Sequence, residues 1–129
     1  LTAKADIRNK VKNRLANTPS ELTDTIIDEF VEDAHLDLEN FTGVSIDTSD
    51  ISSRYQSVLT DMTVVKVIDY MCDKLVSKSI AVGGDVSINY GEIVQSLTQM
   101  RNSLEKRIDK NLNMLGVHRT FEYTQPTPP

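Results

Sequence analysis

Apolar residues recur at helical spacing in four stretches of the chain, and polar or glycine-containing breaks separate them. Ile7, Val11 and Leu15 repeat every four positions and predict a short helix over residues 3–16, with a stripe wide enough for one packing face. Ile26, Ile27, Phe30, Ala34, Leu38 and Phe41 gather on one face of a second helix, predicted over 19–41. Thr18 is placed to cap it, Pro19 fits its first turn, Glu21 completes a capping box, and Gly43 supplies a left-handed stop.

Residues 43–51 (GVSIDTSDI) read as a polar connection with a short extended piece at Val44–Ile46. A third helix is predicted over 52–80, carried by Tyr55, Val58, Leu59, Met62, Val65, Ile68, Cys72, Leu75 and Val76. Val64, Val67 and Met71 widen its stripe almost all round, as in a helix covered on several sides. Gly83 and Gly84 end it. Val86, Ile88 and Tyr90 alternate with polar residues, which predicts a β-like excursion, and Asn89 with Glu92 resembles another capping box. The last helix, predicted over 90–115, carries Ile93, Leu97, Met100, Leu104, Ile108, Leu112 and Leu115. At about 1.5 Å per residue it is a rod of roughly 36 Å, long enough for one end to project or pack on another chain. The fold expected is all-α: a bundle of about four helices over residues 1–116, with an extended tail over 117–129. Three prolines in the last four residues forbid a helix there.

With 129 residues and 39% hydrophobic content, one domain with a lean core is expected. Charge is distributed unevenly. The first helix carries Lys4, Arg8, Lys10, Lys12 and Arg14 against Asp6 alone. The second carries Glu21, Asp24, Asp28, Glu29, Glu32, Asp33, Asp37 and Glu39 with no Lys or Arg. Such a helix has no i,i+4 salt bridges of its own, so its partners are water, a basic neighbour or something it repels. A helix-turn-helix reading across 17–20 fails because this helix would be repelled by phosphate, and the net charge of −5 argues against a general nucleic-acid binder.

Catalytic constellations are scarce. His35 and His118 have no nucleophile beside them, and His35 reads as a surface or partly buried residue. The single cysteine, Cys72, cannot form an intrachain disulfide and reads as a small buried hydrophobe. No HExxH, GxSxG or Walker motif occurs. Residues 85–96 place Asp85, Ser87 and Asn89 like calcium-loop donors, but Tyr90 stands where glycine is needed and Ser96 where a bidentate glutamate is needed. No catalytic residue, cofactor or metal is expected, no segment is long and apolar enough to span a membrane, and no signal peptide is visible.

The pattern D-x-x-I-x-x-F-V-x-x-A-x-x-x-L-E-x-F-T-G ending at Gly43, most closely from Asp28 onward, resembles the head-to-tail connector (adaptor, or head-completion) proteins of tailed bacteriophages. The segment VSINYGEI leading into the last helix is the second point of likeness, and the order of elements matches over most of residues 3–115. The resemblance implies a non-enzymatic structural virion protein at the neck, assembled in the host cytoplasm. It implies a homo-oligomeric ring, typically of twelve copies, below the portal protein. The ring would extend the channel through which duplex DNA passes without specific binding, and offer a platform to a stopper or tail-completion protein.

On that reading Asp24, Asp28, Glu32 and Glu39 are expected to face a neighbouring subunit or the channel. Lys4, Arg8 and Lys12 form the complementary basic face, within a subunit or across an interface. Arg119, Phe121 and Tyr123 are the portal-binding candidates, and truncation after Gly116 is expected to weaken portal attachment while leaving the fold intact. The alternatives are a small acidic helical adaptor or regulator outside virions, binding a basic protein, and a carboxylate-based enzyme.

Overall fold

The computed structural model describes the backbone of residues 3–15, 22–82 and 85–117, and the side chains of all of these except 75–82 and 85–90. It contains four helices, α1 (Lys4–Arg14), α2 (Asp24–Thr42), α3 (Ser53–Val82) and α4 (Asp85–Met114), and no strand among the described residues. The all-α bundle expected from the hydrophobic pattern is the fold observed.

The nearly all-round apolar middle of α3 makes it the central element, and it meets each of the other three helices. Val58, Leu59, Met62, Val64, Val65, Val67 and Ile68 are buried in it. Ile7, Val11 and Leu15 cover it from the α1 side, Ile27, Val31, Ala34 and Leu38 from α2, and Leu104, Ile108 and Leu112 from α4. Burial of each large aliphatic side chain stabilises the fold by about 1.5–3 kcal/mol. Thr60 and Thr63 are also buried in α3, and their hydroxyls donate to the carbonyls of Gln56 and Leu59 one turn back, so neither leaves a polar atom unmet.

Four features differ from the sequence expectation, beyond shifts of one or two residues at the ends of α1 and α3. α2 begins at Asp24, because Thr23 adopts an extended conformation and its Oγ accepts from the Ile26 N–H at 3.3 Å. Leu22 before this cap and Ile27 after it are both buried, the arrangement of a hydrophobic staple. Thr18, Pro19 and Glu21, expected to form the cap, lie outside the described residues. Gly43 does stop α2, with φ +69 and its N–H on the Glu39 carbonyl at 2.8 Å.

The second difference is at α4, which begins at Asp85. Val86–Tyr90 is therefore helical and not β-like, and Asn89–Glu92 lies inside the helix instead of capping it. Three alternating residues carry little information, and once the stripe from Ile93 onward is helical each residue added upstream gains a hydrogen bond. The candidate calcium-loop segment is likewise helix. Third, Val44–Ile46 forms no strand.

The fourth concerns the helix end. α4 closes with Gly116 at φ +80, the Gly116 N–H on the Asn113 carbonyl at 3.0 Å, and the Val117 N–H on the Leu112 carbonyl at 2.9 Å. This is a Schellman closure, and Val117 packs on the core. The packed domain therefore includes Val117, one residue beyond the expected limit at Gly116.

Helices α3 and α4 are 30 residues each, roughly 45 Å, against 19 residues and about 28 Å for α2. Among the described residues of 72–74 and 91–103 none is buried, although Leu97 and Met100 pack partly against the core. The extra length of the α3–α4 pair thus adds no fully buried side chain among the described residues. Cys72 is half-buried instead of fully buried, and that burial pushes its thiol pKa up, which disfavours the reactive thiolate.

Candidate interaction surfaces

The acidic stripe of α2 meets the basic stripe of α1 within one chain. Lys4 pairs with Glu32, Arg8 Nη1 with Asp28 Oδ2 at 2.8 Å, and Lys12 Nζ with Asp24 Oδ1 at 2.9 Å. The partners advance by four on α1 as they retreat by four on α2, so the two helices run antiparallel in a register set by one turn of each. Lys12 holds the Asp24 carboxyl below the usual aspartate range by its hydrogen bond. Partly exposed pairs each contribute little to stability, but their common spacing selects one alignment of α1 on α2. The basic face Lys4, Arg8 and Lys12 and the acidic candidates Asp24, Asp28 and Glu32 thus engage one another inside the subunit.

Glu39 has a different role. Its Oε2 accepts from the Ile46 N–H at 2.8 Å, while His35 Nε2 donates to the Ile46 carbonyl at 2.9 Å. Two side chains one turn apart on α2 thereby capture both backbone groups of one loop residue, and Ile46 and Ile51 anchor the loop in the core. His35 is consequently buried, not on the surface. Its Nδ1 lies 3.7 Å from Glu39 Oε1 and makes no hydrogen bond.

Sequence reasoning did not find the most enclosed charge. Asp61, in the middle of α3, has no exposed surface. Arg107 from α4 grips it with two bonds, Nε to Oδ2 and Nη2 to Oδ1, both 2.7 Å, and Arg14 from α1 adds a third to Oδ1. The bidentate bond to Asp61 raises the Arg107 pKa further. One carboxylate thus ties three helices together. The available signal was an acid isolated within an apolar run, but its partners stand 47 and 46 residues away.

Two surface depressions flank α4. On one side Arg14, Met100, Ser103, Leu104 and Arg107 line an open groove of about 430 Å³ between α1 and α4. On the other, Asp37, Phe41, Lys66, Asp69, Arg101 and Glu105 surround a smaller depression among α2, α3 and α4. Phe41, expected on the apolar face of α2, is 39% exposed at this rim. Lys66 pairs with Asp37 at 2.9 Å and Arg101 with Asp69 at 2.7 Å. The surface continues between α2 and α3 as a groove lined by Phe30, Asp33, Lys66, Asp69, Tyr70 and Asp73.

Among the described residues no group of three or more His, Cys, Asp and Glu is arranged to hold a metal, and no helix is long and apolar enough to cross a membrane. Arg119, Phe121 and Tyr123 lie outside the described residues. Compared with protein-family models, curated proteins and solved structures, the chain matches none. The surfaces above are charged and amphipathic.

Proposed function

We propose that this chain is a structural subunit of a phage head-to-tail connector, assembling into a ring below the portal protein and acting without catalysis. The reading rests on the resemblance carried by Asp28–Gly43 and by the segment entering α4. The observation that most supports it is the mismatch in helix length. The α3–α4 pair runs well past the cover given by α1 and α2, and its described residues there include Ile93, 45% exposed. Apolar surface left outside a shared core is suited to burial on assembly.

The net charge of −5 supports a channel wall that passes DNA without holding it, since a wall that neutralised phosphates would release counterions and gain affinity. Electron microscopy and native mass spectrometry of the purified chain, alone and mixed with a phage portal protein, test the proposal. Rings are the expected result. A chain that stays monomeric in both settings, or one that binds duplex DNA tightly at physiological salt, overturns it.

A further inference from the structure

We propose that the open groove between α1 and α4, where Arg14 and Arg107 stand over Asp61, binds an acidic segment of a partner protein. A carboxylate of that segment bridges the two guanidiniums from the solvent side, and an apolar side chain next to it packs on Met100 and the edge of Leu104. This contact goes beyond the ring reading and does not rest on it.

Charge is the first reason. Arg14 Nη1 and Arg107 Nη2 bond to the same oxygen, Asp61 Oδ1, so two like charges stand side by side. They share one carboxylate with no exposed surface, whereas the arginine side chains keep 32% and 50% of theirs. Among the described residues no Asp or Glu lines the groove. Lys10, one turn before Arg14, donates to the neutral Gln56 amide at 2.9 Å and adds a further positive charge on this side of α1. The face turned to solvent is therefore cationic, and one external carboxylate balances the arginine pair.

Donor geometry is the second reason. Arg107 holds Asp61 through Nε and Nη2, and Arg14 does so through Nη1. Arg107 Nη1, with Arg14 Nε and Nη2, stays outside the clamp, and the buried side-chain nitrogens left without a partner belong to other residues, Arg8 and His35. A guanidinium presents two forks of N–H groups, so one held on one fork still offers the other to a second carboxylate. Ser103, exposed one turn before Arg107, brings a hydroxyl donor to the same groove.

The groove floor narrows the ligand class. Met100 is half-buried and Leu104 buried, and both line the groove beside the arginines. Apolar contact next to paired arginines suits a peptide in which Asp or Glu neighbours a large aliphatic or aromatic residue. A nucleic-acid backbone would meet the guanidiniums but leave Met100 uncovered, and the net charge of −5 opposes a polyanion.

The probe is a short acetylated and amidated peptide alternating Glu and Leu, titrated into the isotope-labelled full chain and followed by NMR. Shifts are expected at the Arg14 and Arg107 side-chain N–H groups and at the Met100, Ser103 and Leu104 amides, and binding should weaken with added salt. A peptide with Gln in place of Glu should bind about tenfold or more weakly, since it cannot supply the balancing charge. Ser103→Glu places a carboxylate one turn before Arg107, where it takes the free donors itself, and should weaken the Glu peptide about tenfold. Ser103→Lys should tighten it. Neither substitution touches the Asp61 clamp, so circular dichroism and melting temperature should match wild type. The Gln-for-Glu comparison uses no variant, so it decides the matter even where a substitution disturbs the helix. An absence of shifts at these residues, equal binding of the two peptides, or a short DNA duplex that moves the same signals at lower concentration overturns the proposal. A chain that forms no ring can still pass this test, so the two readings fail separately.

Discussion

Asp61 has no exposed surface, while the side chains of Arg14 and Arg107 keep 32% and 50% of theirs. The asymmetry decides which partner is costly to lose. Replacing Asp61 with asparagine frees two guanidiniums that reach water by rotating outward. Replacing both arginines with methionine strands a buried carboxylate with no countercharge. The R14M/R107M protein is therefore expected to lose about 3–5 kcal/mol of stability in urea unfolding, and D61N clearly less. Equal losses would mean that the clamp acts through packing and not through charge. Neither partner was legible as a pair, because periodicity describes one helix at a time and Asp61 meets its arginines only after three helices have packed. His35 was misjudged for the same reason: its burial comes from a loop that folds back from beyond Gly43 to place the Ile46 carbonyl on the ring.

At the level of elements, α1 is held by three buried aliphatic residues and by its ladder to α2. The Asp24 pKa is lowered in the folded chain, chiefly by its hydrogen bond to Lys12. A carboxylate depressed on folding stabilises the fold above its unfolded pKa, about 3.9, and that contribution is lost as pH falls through the lower folded value. The melting-temperature difference between wild type and K12M is therefore expected to be full near pH 7 and to shrink below about pH 4. It should also narrow with added salt. A difference independent of both pH and salt would assign the role of Lys12 to packing by its aliphatic stem. The opposite charges at matching four-residue spacing were legible along the chain. What they could not reveal was whether the partner helix belonged to the same subunit, since spacing carries no information about which copy supplies it. The apolar stripes of all four helices were legible because a buried face leaves a periodic mark. The starts of α2 and α4 were not, because Thr23 competes along the chain with an equally plausible cap at Thr18, and the cap-like Asn89–Glu92 pair lies inside α4.

For the whole molecule, Val117 is the last of the described residues and it belongs to the packed helices. Its N–H closes α4 on the Leu112 carbonyl and its side chain packs on the core, so a chain ending before it forfeits both. The segment beyond contains Arg119, Phe121 and Tyr123 ahead of a proline-rich end, large anchoring groups in a sequence unable to continue the helix. Truncation after Val117 is expected to leave helical content and melting temperature unchanged, whereas truncation after Gly116 should lose about 1 kcal/mol with the closing hydrogen bond and more with the packing of Val117. On the ring reading proposed above, both truncated chains should retain self-association, because the exposed α4 surface around Ile93 does not lie in the lost segment. On the same proposed reading, only attachment to a portal protein should fall, read as loss of co-sedimentation with intact portal rings. Undiminished co-sedimentation of the chain ending at Val117 would move the proposed portal contact onto the helical domain, and the exposed α4 residues around Ile93 would then be the surface to alter next.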